Sequence, residues 1–176
     1  MDFFPILSTE RLLLRKIQIE DLDSLVKYAN NKKIADRIVN IPYPYREPDA
    51  VFRIGFVVKG FKEKTRYVFS IISKEREELI GEISLHFLDK GNNHAQMAYW
   101  IGEPLWNNGI ATEAATAILK FGFERLNIDL IYSDCHIENI GSEKVMHNNG
   151  MKKHSRKGNL LLYRLTKEEY KVAQKT

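Results

Sequence analysis

Apolar positions along the chain follow two periods, one typical of helices and one typical of strands. Leu22, Leu25, Val26 and Ala29 recur at the spacing i, i+3, i+4 and i+7, which predicts an amphipathic helix. A shorter helix is expected near Lys32. Alternating or continuous runs of β-branched, aromatic and other apolar residues predict strands instead. These strands are expected over residues 11–16, 67–73, 79–88, 94–102 and 130–135.

A proline-rich stretch interrupts this pattern in the first third of the chain. Prolines remove backbone donors and fix φ, so residues 41–48 are predicted to form a loop with two exposed tyrosines, Tyr43 and Tyr45. A helix is then expected to start at Pro48, because proline suits the first helical position. Its buried face is predicted to contain Val51, Ile54, Val58 and Phe61.

The C-terminal half is predicted to alternate helices and strands. A helix should start close to Gly109 and run to Leu126, and Asn139 should cap a further helix that Gly150 ends. Residues 151–165 predict a closing hairpin around 157–159, and the polar residues 89–93 predict the turn of an earlier hairpin. With no linker, repeat or low-complexity segment, this order predicts one α/β (α+β) domain over residues 1–176, with mixed strand pairing.

The junction between the strand at 94–102 and the next helix carries the strongest chemical signal. Gly109 and Ala111 are small, and the first amides of a helix have no partner inside it. These N–H groups and the positive end of the helix dipole favour a phosphate or pyrophosphate. Glu113, in the first turn, is assigned a capping role. Neither a P-loop nor a dinucleotide-binding glycine pattern occurs in the sequence.

Residues 99–114 resemble the acyl-CoA pyrophosphate loop of the GNAT N-acetyltransferases. That loop reads Arg or Gln, two residues, Gly, one residue, then Gly or Ala, and Gly109 and Ala111 match it. Trp106 stands where the family usually has Arg or Gln, a departure typical of the branch resembling the ribosomal-protein N-terminal (RimJ/RimL-like) acetyltransferases. The resemblance continues through residues 9–15, 136–142 and 150–151, so it covers most of the chain.

The resemblance implies a GNAT-like fold and acetyl-CoA as co-substrate. In that fold a mixed, mostly antiparallel central sheet has helices on both faces, and the strands at 94–102 and 130–135 form a parallel pair that splays around the pantetheine arm. Asn139 and Ser142 are implied to face the cofactor, although Asn139 also suits an N-cap and Ser142 a first turn. A backbone amide near Ile101 and Gly102 would stabilise the oxyanion. The implied CoA-binding residues are Ile101, Trp106, Asn107, Asn108, Gly109, Ile110, Ala111, Thr112, Asn139 and Ser142.

The base for the acceptor amine is where the chain departs from the family it resembles. Relatives commonly place Glu at the position of Gln96, and an amide cannot accept the proton. Strand alternation and hairpin pairing predict a polar surface shared by two strands, with Glu82 as its leading candidate base. Ser84, His86 and His94 belong to the same predicted surface. The predicted catalytic residues are Asn139, Ser142, Glu82 and Gln96.

Composition narrows the classes of function. A net charge of +4 suits a polyanionic ligand, and the basic cluster at 152–157 is interpreted as a solvated hairpin edge, so no nucleic-acid partner is expected. The single cysteine, Cys135, excludes an intrachain disulfide and is predicted to be a buried thiol rather than a nucleophile. Histidine spacing indicates no metal site. Without a membrane-length apolar run or a signal-peptide pattern at residues 1–5, we expect a soluble, cytoplasmic protein.

These observations predict an acetyl-CoA-dependent N-acetyltransferase that acts on a primary amine by direct transfer in a ternary complex. The family branch implies the α-amino group of a protein N-terminus, including that of a ribosomal protein, as acceptor. A peptide acceptor would need an open groove beside Tyr43, Tyr45 and the closing hairpin. A small amine (polyamine, amino acid or aminoglycoside) is the enzymatic alternative, with Glu47, Asp49 and Glu82 as candidate pocket carboxylates. A non-catalytic acyl-CoA sensor is the alternative of another class.

Overall fold

The structure, a computed structural model, describes residues 3–88 and 91–174, in which eight strands form one sheet. Of the segments interpreted from the sequence, Met1 and Asp2 near the N-terminus and Asp89 and Lys90 of the predicted turn lie outside the described residues. The strands are β1 (Leu7–Ser8), β2 (Leu12–Arg15), β3 (Arg66–Ser73), β4 (Glu78–His86), β5 (His94–Ile101), β6 (Leu130–His136), β7 (Lys152–Lys157) and β8 (Leu160–Thr166). Their order across the sheet is β1-β2-β3-β4-β5-β6-β8-β7.

Pairing in this sheet is antiparallel except between β5 and β6, which run parallel. The helices predicted from apolar spacing are present, and Asn139 caps the penultimate helix through its side chain. A π-helical turn, Phe121–Arg125, extends the helix that was predicted to reach Leu126. The helices are α1 (Leu22–Ala29), α2 (Lys32–Ala35), α3 (Glu47–Lys62), α4 (Ile110–Lys120), α5 (Ile140–Asn148) and α6 (Lys167–Ala173).

Helices lie on both faces of the sheet. On one face, Arg53 of α3 forms an ion pair with Glu82 of β4. On the other face, the ring of Phe121 after α4 packs edge-on against Tyr67 and Phe69 of β3, at centroid distances of 5.4 and 5.5 Å. The mixed α/β class, the mostly antiparallel sheet and the helices on both faces are therefore confirmed. Residues 1–176 as a single domain stay a prediction.

The proline-rich loop and α3 differ from their predicted burial. Tyr43 is exposed as expected, but Tyr45 is only 3% exposed, and its backbone N–H donates to Asn30 Oδ1 at 3.0 Å. Tyr45 was therefore wrongly predicted to be exposed. Val51 is also exposed, because α3 directs Ala50 and Val57 to the core, with Ile54, Val58 and Phe61 half-buried.

Two short elements near the ends of the described chain were not predicted. β1 has only two residues, which is too short to show an alternating pattern. α6 follows a capping box in which Thr166 and Glu169 bond reciprocally to each other's backbone N–H. That Thr-x-x-Glu spacing is a helix-start signal readable from the sequence.

Candidate active site

The parallel strands β5 and β6 separate after a short contact. Their register pairs only His94, Ala95 and Gln96 with Leu130, Ile131 and Tyr132. Beyond these pairs, residues 97–101 of β5 and 133–136 of β6 share no ladder. Because buried backbone groups need hydrogen-bond partners, the gap suits an extended ligand that can supply them. The predicted splayed pair is confirmed.

The turn at the end of this gap leaves the start of α4 open. Asn107 and Gly109 have positive φ values of 63° and 74°, which Asn and Gly tolerate best. Gly109 is the N-cap of α4 and has no side chain to bond the first amides. These amides therefore point into the turn without an internal partner, as an anion site requires.

A cavity of about 600 Å³ lies between the end of β5, this turn and the start of α5. The volume lies in the range of roughly 300–1,000 Å³ that is usual for small-molecule and cofactor sites. Asn108 does not line it, because its side chain donates to the Trp106 carbonyl and its own carbonyl accepts from Arg11. The predicted CoA-binding residues that line the cavity are Ile101, Trp106, Asn107, Gly109, Ile110, Ala111, Thr112, Asn139 and Ser142.

Trp106 fixes the turn against the end of β5. Its indole Nε1–H donates to the Ile101 carbonyl at 2.6 Å, and the guanidinium of Arg37 lies 5.8 Å from its ring centroid. Lys33 and Arg37 also line the cavity, and Lys33 is paired with Glu103. Among residues 3–88 and 91–174, Arg37 has no carboxylate within ion-pair distance. Sequence reasoning missed these cations, because they come from a segment seventy residues before the turn and no local motif marks them.

Glu113 does not cap α4, and the capping role assigned from the sequence is wrong. Its carboxylate accepts from the Thr9 hydroxyl at 2.6 Å, from the Arg11 backbone N–H at 2.9 Å and from Arg11 Nε at 2.6 Å. Burial alone would raise the pKa of Glu113, but these hydrogen bonds outweigh burial and hold the pKa below its usual value. Glu113 therefore ties α4 to the segment before β2 and brings Arg11 beside the turn.

Asn139 and Ser142 meet at the start of α5. Asn139 Oδ1 accepts from the Ser142 backbone N–H at 3.2 Å, so the N-cap interpretation of Asn139 is confirmed. The Ser142 carbonyl accepts from the Tyr99 hydroxyl at 3.2 Å. Burial raises the pKa of Tyr99 well above its usual value, so this hydroxyl stays protonated and donates. Tyr99 lines the cavity too.

The predicted polar residues of β4 and β5 lie on the same face of the sheet, but they do not all reach solvent. The register pairs Ser84 with Ala98 and His86 with Gln96, which confirms the shared face. Glu82 and Ser84 are buried, however, so they do not form the predicted open polar surface. Burial and nearby arginines lower the pKa of His86 to about 4, which leaves it neutral at pH 7.

Glu82 is held by two other side chains. Its Oε2 lies 2.9 Å from Arg53 Nη2 and 2.9 Å from Trp100 Nε1, and Glu82 is only 2% exposed. A buried carboxylate paired in this way has its hydrogen-bonding oxygen occupied and is closed to an incoming amine. The arrangement favours a structural role for Glu82 over the catalytic role predicted from the sequence.

Gln96 occupies the last paired position of β5. Its side-chain Nε2 donates to Asp134 Oδ1 of β6 at 2.6 Å, so the amide bridges the two strands where they separate. Gln96 and Glu82 are both absent from the cavity lining. Sequence reasoning missed Asp134, because its proximity to Gln96 depends on the parallel register of two strands.

Other chemistry in the described residues is limited. Cys135 is buried as predicted, and burial raises the pKa of its thiol to about 11, which disfavours a reactive thiolate. Residues 3–88 and 91–174 contain no group of three or more His, Cys, Asp or Glu side chains arranged to hold a metal ion. Within the same part of the chain, no helix combines the length and apolar content needed to cross a membrane.

The comparisons with known proteins agree with this geometry. The sequence model described as "Acetyltransferase (GNAT) domain" matches residues 11–152. The chain is similar to uncharacterized N-acetyltransferase p20 of Bacillus licheniformis, at 30% identity over 93% of this chain and 97% of that protein. Among solved structures it resembles a GNAT-family acetyltransferase from Bacillus anthracis, with a TM-score of 0.79, 26% identity and coverage of 93% and 99% of the two chains.

A second solved structure shares the fold at lower identity. It is RimL, described as the ribosomal L7/L12 α-N-protein acetyltransferase in complex with coenzyme A. The TM-score is 0.81 at 16% identity, with 92% of this chain and 98% of that chain covered. The family match over residues 11–152 shows that the chain belongs to the GNAT family of N-acetyltransferases, enzymes that take the acetyl group they transfer from acetyl-CoA.

Proposed function

We propose that this protein acetylates the α-amino group at the N-terminus of a polypeptide, by direct transfer from acetyl-CoA in a ternary complex. The observation that carries this proposal is the cavity at the separated end of β5, with the open start of α4 and the start of α5 in its wall. It supplies a place for the donor and leaves the opposite face of the sheet for the acceptor.

The residues of the cavity fit acetyl-CoA. The amides of α4 would hold the pyrophosphate, and Ala111 and Gly109 leave room for it. Arg37 adds positive charge, and Arg11 lies beside the turn, with Nη2 3.5 Å from the position of a Cβ on Gly109. Trp106 replaces the usual Arg or Gln of the loop, and here it positions the turn while the nearby arginines supply the charge. The pantetheine arm would lie between β5 and β6.

Asn139 and Ser142 are proposed to act next to the thioester. The Asn139 Oδ1 is used by the cap, which leaves its amide Nδ2–H groups as donors at the cavity wall. The Ser142 hydroxyl has no hydrogen-bond partner in the described part of the chain. A thiolate needs only a weak acid for protonation, because the thiol pKa is about 8.5. These two groups therefore provide donors without requiring a strongly perturbed residue.

The choice of a polypeptide acceptor follows from the surroundings of the gap. Two of the three carboxylates expected for a cationic small-molecule pocket already have partners within the protein, since Glu82 is buried with Arg53 and Asp49 accepts from the Arg46 backbone N–H. Residues 152–157 of β7 and Arg164 of β8 are exposed, so this end of the sheet is open to an extended chain. RimL, a structural neighbour, is described as acting on the α-amine of a ribosomal protein. A ribosomal-protein N-terminus is therefore the first acceptor to test.

A panel of amines tests the proposal, with thiol release as the readout. Peptides with free α-amino groups, including ribosomal-protein N-termini, are compared with polyamines, free amino acids and aminoglycosides at pH 7. We expect the largest kcat/KM for a peptide. A larger value for a small amine would support the small-molecule alternative, and tight acetyl-CoA binding without turnover of any amine would support the sensor.

A further inference from the structure

The hydrogen bond between Gln96 and Asp134 lies where β5 and β6 begin to separate. Gln96 pairs with Tyr132 as the last rung between β5 and β6, and Asp134 follows two residues later on the same face of β6. Tyr99, which lines the cavity, is three residues beyond Gln96 on β5, or about 10 Å of extended chain. Asp134 therefore lies at the start of the gap, on the face of the sheet opposite to the Tyr99 side chain.

The Asp134 carboxylate is available to a ligand. It is exposed, and its described hydrogen bond is with the neutral amide of Gln96. In residues 3–88 and 91–174 no lysine, arginine or histidine nitrogen lies within 4.0 Å of it. By strand register, the titratable or charged residues that share its face on β5 to β8 are His94, Tyr132, His136, Lys152, Lys157 and Arg164, and those on β3 and β4 are Arg66, Glu82 and His86.

The contrast with Glu82 shows why this carboxylate is the better candidate. Glu82 is buried and its charge is already balanced by Arg53, whereas Asp134 has one amide donor and an open side. An ammonium group that reaches Asp134 would form a charge-assisted hydrogen bond with this carboxylate. No cationic side chain of the described residues already occupies that position.

We propose that Asp134 binds the ammonium group of the acceptor and takes its proton, and that Gln96 positions the carboxylate for this task. The inference rests on the proposed N-acetyltransferase function. It assigns to Asp134 the role of the base for which the side chain at position 96, an amide, is unsuited. The substrate class is a primary amine presented at the end of a chain.

The proposed transfer conserves protons and electrons. The ammonium nitrogen carries three protons, and the first passes to Asp134, which frees the nitrogen lone pair. That pair forms the bond to the acetyl carbon while the carbon–sulfur bond breaks and its electrons leave on sulfur. The second proton goes to sulfur to give the thiol, the third stays on the amide, and Asp134 returns its proton to solvent.

Kinetics of four variants test the proposal between pH 6.5 and 9.5, with a peptide that has a free α-amine. Asp134→Asn should lower kcat/KM about 100-fold at pH 7, a typical value for losing a general base. The loss should shrink at pH 9.5, where the α-amine is already neutral. Asp134→Glu should recover part of the activity, and Gln96→Ala should lose less than Asp134→Asn. Glu168→Gln, which removes an exposed carboxylate on α6, is the matched control and should match the wild type.

The outcomes separate this inference from the proposed function. Acetyl-CoA affinity by calorimetry and the melting temperature should be unchanged in Asp134→Asn. Activity of Asp134→Asn within twofold of the wild type at every pH would overturn the role of Asp134 while leaving the function in place. A loss that does not depend on pH and accompanies a lower melting temperature would indicate a structural role and overturn it as well. Absence of thiol release by the wild-type protein with any amine would refute the proposed function itself.

Discussion

Asn139 shows how one residue can serve the fold and the site together. Its Oδ1 caps α5 by accepting from the Ser142 N–H, and its side chain lies at the cavity wall. The cap was predictable, because Asn before an apolar helix start is a local signal. The amide Nδ2–H groups, which the cap does not use, are the part of the side chain proposed to contribute to turnover.

Asn139→Asp and Asn139→Ala separate the two roles of this residue. Aspartate keeps an oxygen for the cap, so Asn139→Asp should stay as stable as the wild type but lose activity, because its side chain no longer donates. Asn139→Ala should lose activity and also about 1 kcal/mol of stability. Urea unfolding and the specific activity of the folded protein measure both effects. Full activity of Asn139→Asp would show that the residue acts only as a cap.

Individual residues also show what the sequence could not reveal. The replacement of a usual Glu by Gln96 was visible in the sequence, but the carboxylate that the amide bonds, Asp134, lies 38 residues later. Likewise Arg53 and Glu82 are separated by 29 residues, and only the packing of α3 on β4 brings them together. Side-chain roles that depend on such long-range contacts need the fold before they can be assigned.

At the scale of elements, α4 contributes the feature on which donor binding depends. Its N-terminus faces the cavity, and Ala111 lies in its first turn as a cavity-lining residue. The favourable interaction between a helix N-terminus and a negative charge is not specific to a ligand. A carboxylate introduced there should therefore compete with the phosphates while the helix itself remains stable.

Ala111→Asp tests this role of α4, with Ala111→Asn as a control of nearly the same size. Aspartate should weaken acetyl-CoA binding at least tenfold more than asparagine does, because its charge repels the pyrophosphate. The melting temperature of Ala111→Asp should equal or exceed that of Ala111→Asn, since a first-turn acid suits the dipole. Equal affinities of the two variants, measured by calorimetry, would contradict binding of the pyrophosphate at this turn.

Most elements could be predicted, because their apolar periods and caps are local. The strands of the central sheet and α1, α4 and α5 were found near their observed bounds. β1 was missed because two residues show no period, and α6 was missed although its Thr166–Glu169 capping box is written in the sequence. The buried face of α3 was placed one residue off at its start, because Val51 and Ala50 are both apolar and only packing chooses between them.

At the scale of the whole molecule, the site exists because two neighbouring strands of the sheet, β5 and β6, separate along part of their length. Three paired positions join β5 to β6. Beyond them the end of β5 has no partner in β6, and the cavity lies there, beside the starts of α4 and α5. The order of elements could suggest this topology only through the family resemblance, since periodicity does not report which strands are neighbours. The chemistry of the acceptor side depends on the same division, which places Gln96 and Asp134 at its start.

The enzyme should prefer amines of low pKa, because more of such an amine is neutral near pH 7. An α-amine with a pKa of about 7.7–8.0 is roughly one-quarter neutral at pH 7.4, whereas a lysine side chain near 10.4 is neutral in about one molecule per thousand. A single exposed carboxylate such as Asp134 assists both amines alike, so this difference should persist in the enzyme.

The most direct measurement offers both amines in one molecule. A peptide with a free N-terminus and one internal lysine is incubated with acetyl-CoA and a catalytic amount of the enzyme at pH 7.4, and fragmentation mass spectrometry locates the acetyl group. We expect acetylation at the α-amine, and a strongly reduced yield with Ala111→Asp. Acetyl groups found mainly on the lysine, or no enzyme-dependent acetylation at either amine, would contradict it.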